Sequence, residues 1–85
     1  MRQFSYTIQD KVGIHARPAN LLVREARRFQ SRIVLRRGEK WAEVTNLLAV
    51  LGLYARCNDT IEVEVSGEDE EAACEAVKGV FETYL

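Results

Sequence analysis

One segment of this chain is a strand with a single apolar face, and it constrains the fold more than any other feature. Ile61, Val63 and Val65 alternate with Glu62 and Glu64, so one face is buried and the other is charged. The same alternation predicts three more strands, which contain Phe4, Tyr6 and Ile8, then Ile33 and Leu35, then Ala42 and Val44 after a turn at Gly38. A sheet of such strands needs its apolar partners on one side and leaves its other side open to water.

Three segments with helical spacing supply those partners. Residues 16–28 predict one helix, Leu47 to about Leu53 a short one with Asn46 as N-cap, and Asp69 to Tyr84 the last. The apolar stripes contain Ala19, Leu22, Val23, Ala26 and Phe29 in the first helix and Ala73, Ala76, Val77, Val80 and Phe81 in the last. The order β-α-β-β-α-β-α predicts an α+β fold, a four-stranded antiparallel sheet with three helices on one face. We expect Trp41, Glu62 and Glu64 on the open face.

Size and composition limit the classes of protein. Residues 1–85 suffice for a single domain, and 47% of the 85 residues are hydrophobic, so a core can form. Cys57, Cys74 and the single histidine are too few for a disulfide framework or a zinc centre. No apolar run approaches the roughly 20 residues of a membrane-spanning helix. We therefore expect a cytoplasmic protein with no cofactor, no metal and no direct membrane insertion.

Charge is distributed unevenly along the chain. Residues 1–40 carry a net charge of +7 and residues 41–85 a net charge of −8. Either one surface attracts acidic partners, or the two halves attract each other across the fold. Arg17, Asn20, Arg24 and Arg27 follow at spacings of three, four and three, which places them on one helix face opposite the apolar stripe. We predict that this face docks acidic partners.

The only histidine, His15, stands where the first helix is expected to begin, within Gly13-Ile14-His15-Ala16-Arg17-Pro18-Ala19. Pro18 falls in the first helical turn, where its missing N–H costs nothing. The free backbone N–H groups of Ala16 and Arg17, with the helix dipole, predict an anion site. The Arg17 guanidinium adds a fork that binds phosphate oxygens. Because phosphoryl transfer needs mainly positioning and charge stabilisation, we predict that His15 accepts a phosphoryl group.

That heptapeptide resembles the active-site signature of the HPr family, the histidine phosphocarriers of the bacterial sugar phosphotransferase system. The resemblance extends to the length, the hairpin, the Asn46–Leu53 segment and the final helix. It implies an open-faced β-sandwich in which His15 takes phosphate at Nδ1 from phosphorylated enzyme I and passes it to sugar-specific enzyme IIA domains. It also implies that Arg17 steadies the phosphoryl group. Such a protein is a relay and not an enzyme with its own turnover.

The short second helix is too rich in leucine to bury every side chain. We expect Leu47, Leu48 and Leu51 to lie beside His15 as an apolar docking cluster, rimmed by Arg17, Arg24 and Arg27. Resemblance to the HPr family implies the same surface, with enzyme I and enzyme IIA as partners. A monomer is expected, because these partners must reach the His15 face.

Asn46 stands where many HPr proteins carry a serine that a dedicated kinase phosphorylates, so no regulatory phosphosite is expected there. Two alternatives stay open. The first is a paralogue in a regulatory, nitrogen-related phosphotransferase chain, with the same His15 chemistry and other partners. The second is a small nucleic-acid-binding module that uses the Arg24 and Arg27 face. Glu62, Glu64 and the lack of paired aromatic residues on the sheet argue against nucleic acid.

Overall fold

A computed structural model describes all residues from Met1 to Leu85, in the order β-α-β-β-α-β-α. The elements are β1 (Arg2–Thr7), α1 (Ala16–Ala26), β2 (Arg32–Arg37), β3 (Lys40–Glu43), α2 (Leu47–Leu51), β4 (Thr60–Ser66) and α3 (Glu70–Tyr84). The strands form one antiparallel sheet in the order β1-β4-β2-β3, which confirms the predicted α+β class and sheet. None of the helices has the length and apolar character that crossing a bilayer requires.

The strand that contains Ile61, Val63 and Val65 lies in the interior of the sheet. β4 pairs with β1 on one side and β2 on the other, with Val63 opposite Phe4 and Leu35. Its three apolar side chains are fully buried beneath the helices. On the other face Glu62 is exposed, and Glu64 is half-buried in an ion pair with Arg36 at 3.3 Å. A strand buried on one face only therefore occupies a central position.

The open face of the sheet carries ordered polar contacts. Trp41 is 53% exposed there, as predicted. The Arg32 guanidinium lies 5.9 Å from the Trp41 ring centroid and pairs with Glu43 at 3.2 Å. Val34, which alternates with the core residues of β2, is buried on this face between its register partners Glu43 and Glu64. Long side chains thus cover this one apolar position of β2.

The core fills the space between the sheet and the helices. Phe81 of α3 is fully buried, with its ring centroid 6.0 Å from that of Phe4 and 5.3 Å from that of Tyr6. Leu22 of α1 and Val50 of α2 join the same cluster. Full burial of one such side chain contributes about 1.5–3 kcal/mol relative to exposure, so these contacts fix the helices on the sheet.

The helix ends differ from the predicted ones. α1 ends at Ala26 instead of residue 28, because the N–H groups of Arg28 and Phe29 turn to carbonyls three residues back, at 3.1 and 3.2 Å. α2 likewise ends at Leu51 and not at Leu53, whose N–H bonds three residues back at 3.2 Å. α3 begins at Glu70, one residue after the predicted start.

Two positions of the predicted apolar stripes are less buried than expected. Phe29 lies beyond the end of α1 and is half-buried, and Ala76 of α3 is half-buried rather than part of the core. The remaining stripe residues, Ala19, Leu22, Val23 and Ala26 in α1 and Ala73, Val77, Val80 and Phe81 in α3, are buried. The shorter α1 removes Phe29 from the helical repeat, which accounts for its position at the margin of the core.

Candidate functional site

His15 is the N-cap of α1. Its backbone is extended (φ −128°, ψ −175°), and its carbonyl oxygen accepts the N–H of Ala19 at 3.0 Å, the first hydrogen bond of the helix. The ring is half-buried and makes no capping hydrogen bond. N-cap side chains usually accept from the second or third helical N–H group, and the third residue here, Pro18, has none. The ring nitrogens therefore remain free for chemistry.

The start of α1 presents unpartnered donors. The backbone N–H groups of His15, Ala16 and Arg17 have no hydrogen-bond acceptor within the chain. No acidic residue lies in the first turn, so no carboxylate of α1 itself offsets the positive end of the helix dipole. The Arg17 side chain is exposed and forms no ion pair. An anion at this point would meet backbone donors and a guanidinium together.

His15 and Arg17 line the same depression, which has a volume of about 320 Å³. Its other lining residues are Asp10, Pro18, Leu21 and Tyr84. Sequence reasoning missed Asp10, Leu21 and Tyr84. Asp10 could have been found from the sequence, because an Asp shortly before a glycine is typical of a turn. In that turn its Oδ1 accepts the Val12 N–H at 2.8 Å, and its carbonyl oxygen accepts the Gly13 N–H at 3.0 Å. Tyr84 had no such local signal, since the packing of α3 on α1 brings it there.

The arginines on the basic face of α1 carry unpaired charge. Arg24 and Arg27 are exposed, and neither forms an ion pair. The arginines that do form ion pairs lie elsewhere in the chain: Arg2, Arg28, Arg32, Arg36 and Arg37. Asn20 is exposed on the same face and donates from Nδ2 to the Ala16 carbonyl oxygen at 3.0 Å. Positive charge on this face is thus available to a partner.

The leucines of α2 are unequally exposed. Leu48 is 79% exposed, the most exposed of the large hydrophobic side chains. Leu47 and Leu51 are half-buried and pack against the core. α2 also packs against α1. The predicted apolar cluster therefore consists of one protruding side chain and two partly covered ones.

No metal-binding arrangement is present. No group of three or more His, Cys, Asp or Glu side chains is placed to hold an ion. Cys57 and Cys74 are free thiols, and burial is the main reason that the pKa of Cys74 is raised.

Together, the fold and site define a small α+β protein whose sheet supports an accessible histidine at a helix N-terminus. Residues 2–83 match the family described as "PTS HPr component phosphorylation site". The chain belongs to this family, the HPr phosphocarrier proteins of the phosphotransferase system.

Relatives agree over nearly the whole chain. The phosphocarrier protein HPr of Mycoplasma capricolum is 36% identical over 78 residues, which cover 92% of this chain and 88% of that protein. The solved structure of a mycoplasma histidine-containing phosphocarrier protein is similar with a TM-score of 0.91 at 34% identity, covering 93% of this chain and 90% of that one. A crystallised HPr dimer from Thermoanaerobacter tengcongensis is similar with a TM-score of 0.77 at 29% identity, covering 98% and 95%.

Proposed function

We propose that His15 receives a phosphoryl group from phosphorylated enzyme I and donates it to sugar-specific enzyme IIA domains. The observation that carries the proposal is the N-cap position of His15, with an uncommitted ring beside the unpartnered N–H groups of Ala16 and Arg17. The protein acts as a relay with no independent turnover. Residues 1–85 serve as one phosphocarrier domain in the cytoplasm, with no cofactor or metal.

In the transfer step, Nδ1 of His15 attacks phosphorus in line as the bond from phosphorus to the donor nitrogen breaks. The electron pair of the broken bond stays on the donor. The phosphoryl oxygens then lie against the N–H groups of Ala16 and Arg17 and the Arg17 guanidinium. The two backbone donors are already in place before the reaction, so little reorganisation of the backbone opposes the transfer. The next acceptor removes the group by the same in-line route.

The docking surface in this proposal consists of the α1 face and the exposed side of α2: Asn20, Arg24, Arg27, Leu47, Leu48 and Leu51. The unpaired charge of Arg24 and Arg27 favours acidic partners, and Leu48 supplies an apolar contact. The protein acts as a monomer, because this surface must stay open to enzyme I and enzyme IIA in turn. Asn46 carries no hydroxyl, so the α2 N-cap is no phosphosite.

The test is incubation with enzyme I and phosphoenolpyruvate, followed by intact mass measurement. The expected product carries one acid-labile phosphoryl group, absent in His15→Ala. Arg17→Ala keeps the acceptor and is expected to be phosphorylated about 100-fold more slowly, a loss typical of removing one donor to developing charge. An acid-stable adduct, or one that persists in His15→Ala, would refute the proposal.

The same assay separates the two alternatives. If enzyme I of a nitrogen-related phosphotransferase system phosphorylates the protein faster than enzyme I of a sugar phosphotransferase system does, the protein is assigned to regulation. A mobility-shift assay at low and moderate salt tests the nucleic-acid alternative, because phosphate contacts by Arg24 and Arg27 would weaken steeply with salt. We expect no shift, since Glu62 and Glu64 occupy the sheet face on which bases would stack.

A further inference from the structure

Two loops meet immediately before His15. We call residues 8–15 the histidine loop and residues 53–59 the support loop. The N–H of Ile14 donates to the Ala55 carbonyl oxygen at 2.9 Å. At the other end, Ile8 exchanges two hydrogen bonds of 2.8 Å, donating to the Asp59 carbonyl and accepting from the Asn58 N–H. The path of the histidine loop is thus attached to the support loop at both ends.

The support loop needs contacts from outside to keep its shape. Tyr54 and Asn58 both have positive φ, at 52° and 75°, in the left-handed region that residues with a Cβ rarely occupy. Tyr54 is 65% exposed, so burial of its own side chain does little to hold this conformation. Asp59 adds one internal bond, accepting the Arg56 N–H on Oδ2 at 2.8 Å.

Arg37, at the end of β2, joins the two ends of the support loop. Its Nε donates to Oδ2 of Asp59 at 2.9 Å, and its Nη1 donates to the Leu53 carbonyl oxygen at 3.1 Å. No other side chain outside the support loop hydrogen-bonds to it; Lys40 contacts it only at the Tyr54 ring, with Nζ 5.0 Å from the ring centroid. The hydrogen bonds from the Arg56 N–H and from Arg37 hold the pKa of Asp59 below its usual range, so the carboxylate stays ionised at neutral pH. One guanidinium, anchored in the sheet, therefore closes the loop.

We propose that Arg37 and Asp59 are positioning residues for His15. They hold the support loop closed and so fix the position of the Ala55 carbonyl oxygen. Because that oxygen accepts the Ile14 N–H, it also fixes Ile14. The position of Ile14 in turn sets the angle at which His15 and the first N–H groups of α1 meet the phosphoryl group. The proposal rests on the phosphocarrier function given above. Neither residue touches the reacting atoms.

The neighbouring Arg36 provides a matched control. It lies on the same strand and pairs with Glu64 at 3.3 Å on the open face of the sheet, without contact to the support loop. Arg36→Met and Arg37→Met remove the same charge and keep similar apolar bulk. Arg37→Lys keeps the charge but cannot bridge Leu53 and Asp59 with one planar fork.

The first readout is amide hydrogen exchange by NMR, with no phosphoryl donor present. In Arg37→Met, exchange at the Ile14 N–H is expected to rise about tenfold relative to the β4 amides, the effect of losing one charged hydrogen bond. The His15 ring resonances should shift as well. Arg36→Met should leave both unchanged, and Arg37→Lys should give an intermediate value.

The second readout is steady-state loading by enzyme I, with this protein as the varied substrate. A positioning role predicts a kcat about tenfold lower in Arg37→Met with KM within about twofold, because the docking surface on α1 and α2 is intact. Equal loss of protection at Ile14 and in β4, or unchanged exchange at Ile14, would overturn the proposal. Should wild-type protein accept no phosphoryl group, the proposed function fails, while the exchange experiment still decides what Arg37 positions.

Discussion

The backbone of Gly13 lies directly against the carbonyl group of Ala55. A Cβ at Gly13 would come within 2.4 Å of that oxygen, and within 2.8 Å of the Cα of Arg56. Gly13 also has φ of 83°, where side chains are disfavoured. Close approach and backbone conformation together require glycine two residues before His15.

Replacement of Gly13 by alanine is therefore expected to destabilise the protein. Left-handed conformation costs about 1–2 kcal/mol, and forcing the loops apart adds about 1–3 kcal/mol. Gly38→Ala is the matched control, because Gly38 has φ of 61° but nothing within 4 Å of its added Cβ. Urea denaturation should show a clearly larger loss for Gly13→Ala. Equal losses would mean that the contact with Ala55 adds nothing.

Acid should destabilise the protein through Asp59, Asp69 and Glu70, the three carboxyls whose pKa is lowered in the folded protein. The pKa of Asp69 is lowered chiefly by the Ser31 hydroxyl hydrogen bond and then by the Gln30 N–H. A carboxyl whose pKa is lowered in the folded protein binds fewer protons there than in the unfolded chain. Its contribution to stability is therefore complete above the pKa of the unfolded chain, and it is lost as pH falls through the lower pKa of the folded protein. The urea midpoint should hold from neutral pH to about pH 5 and fall below about pH 4.

The matched variants for this acid effect are Asp69→Asn and Glu68→Gln. Asp69→Asn should lower the midpoint at neutral pH and flatten the acid decline, because the ionised acceptor is gone. Glu68 makes no hydrogen bond or ion pair, so its substitution should change neither. An Asp69→Asn profile parallel to that of the wild type would contradict the assignment.

Reversing the charge of the α1 face should slow partner encounter. For Arg24→Glu combined with Arg27→Glu, the second-order rate of phosphoryl exchange with enzyme I should fall about tenfold at low salt, and its salt dependence should weaken. Lys78→Glu is the control, since Lys78 is exposed on α3 and forms no ion pair. Stopped-flow or quenched-flow rates over a salt series measure both effects. Rates like those of the control would remove the α1 face from the docking surface.

Removing the protruding leucine of α2 should affect docking but not folding. Leu48→Ala is expected to change the free energy of unfolding by less than about 0.5 kcal/mol, because the side chain is 79% exposed. Its KM for enzyme I should rise about fivefold to tenfold, as for a side chain at an interface. Trp41→Ala, on the open face of the sheet, should leave KM unchanged. A KM that rises in Trp41→Ala and stays unchanged in Leu48→Ala would place the docking surface on the sheet.

The α2 N-cap gives a prediction on stability alone. Oδ1 of Asn46 accepts the Ala49 N–H at 3.2 Å. Asn46→Ala should cost about 1 kcal/mol of unfolding free energy, whereas Asn46→Ser, which retains an oxygen acceptor, should cost a few tenths. Thermal denaturation of both variants provides the comparison. Equal losses would show that the capping bond does not stabilise α2.

Local order along the chain was sufficient to predict the elements and their faces. The apolar pattern of a strand or helix involves residues only two to four positions apart in the chain. Ile61, Val63 and Val65 therefore predicted β4, and Ala19 and Leu22 predicted α1. The Asn46 cap and the location of His15 at the start of a helix are local in the same sense. The sequence therefore predicted the layering of the fold and the unit that carries the proposed chemistry.

Contacts between distant segments were decided only by the tertiary structure. Tyr84 reaches the His15 depression because α3 packs on α1, and Arg37 closes the support loop from another strand. Tightened turns, not periodicity, end α1 and α2. Apolar residues that recur every two positions in a strand, or about every 3.6 positions in a helix, specify which face of the element is apolar. They do not specify which charged groups form ion pairs or hydrogen bonds with each other. That choice depends on the packed arrangement of the whole chain.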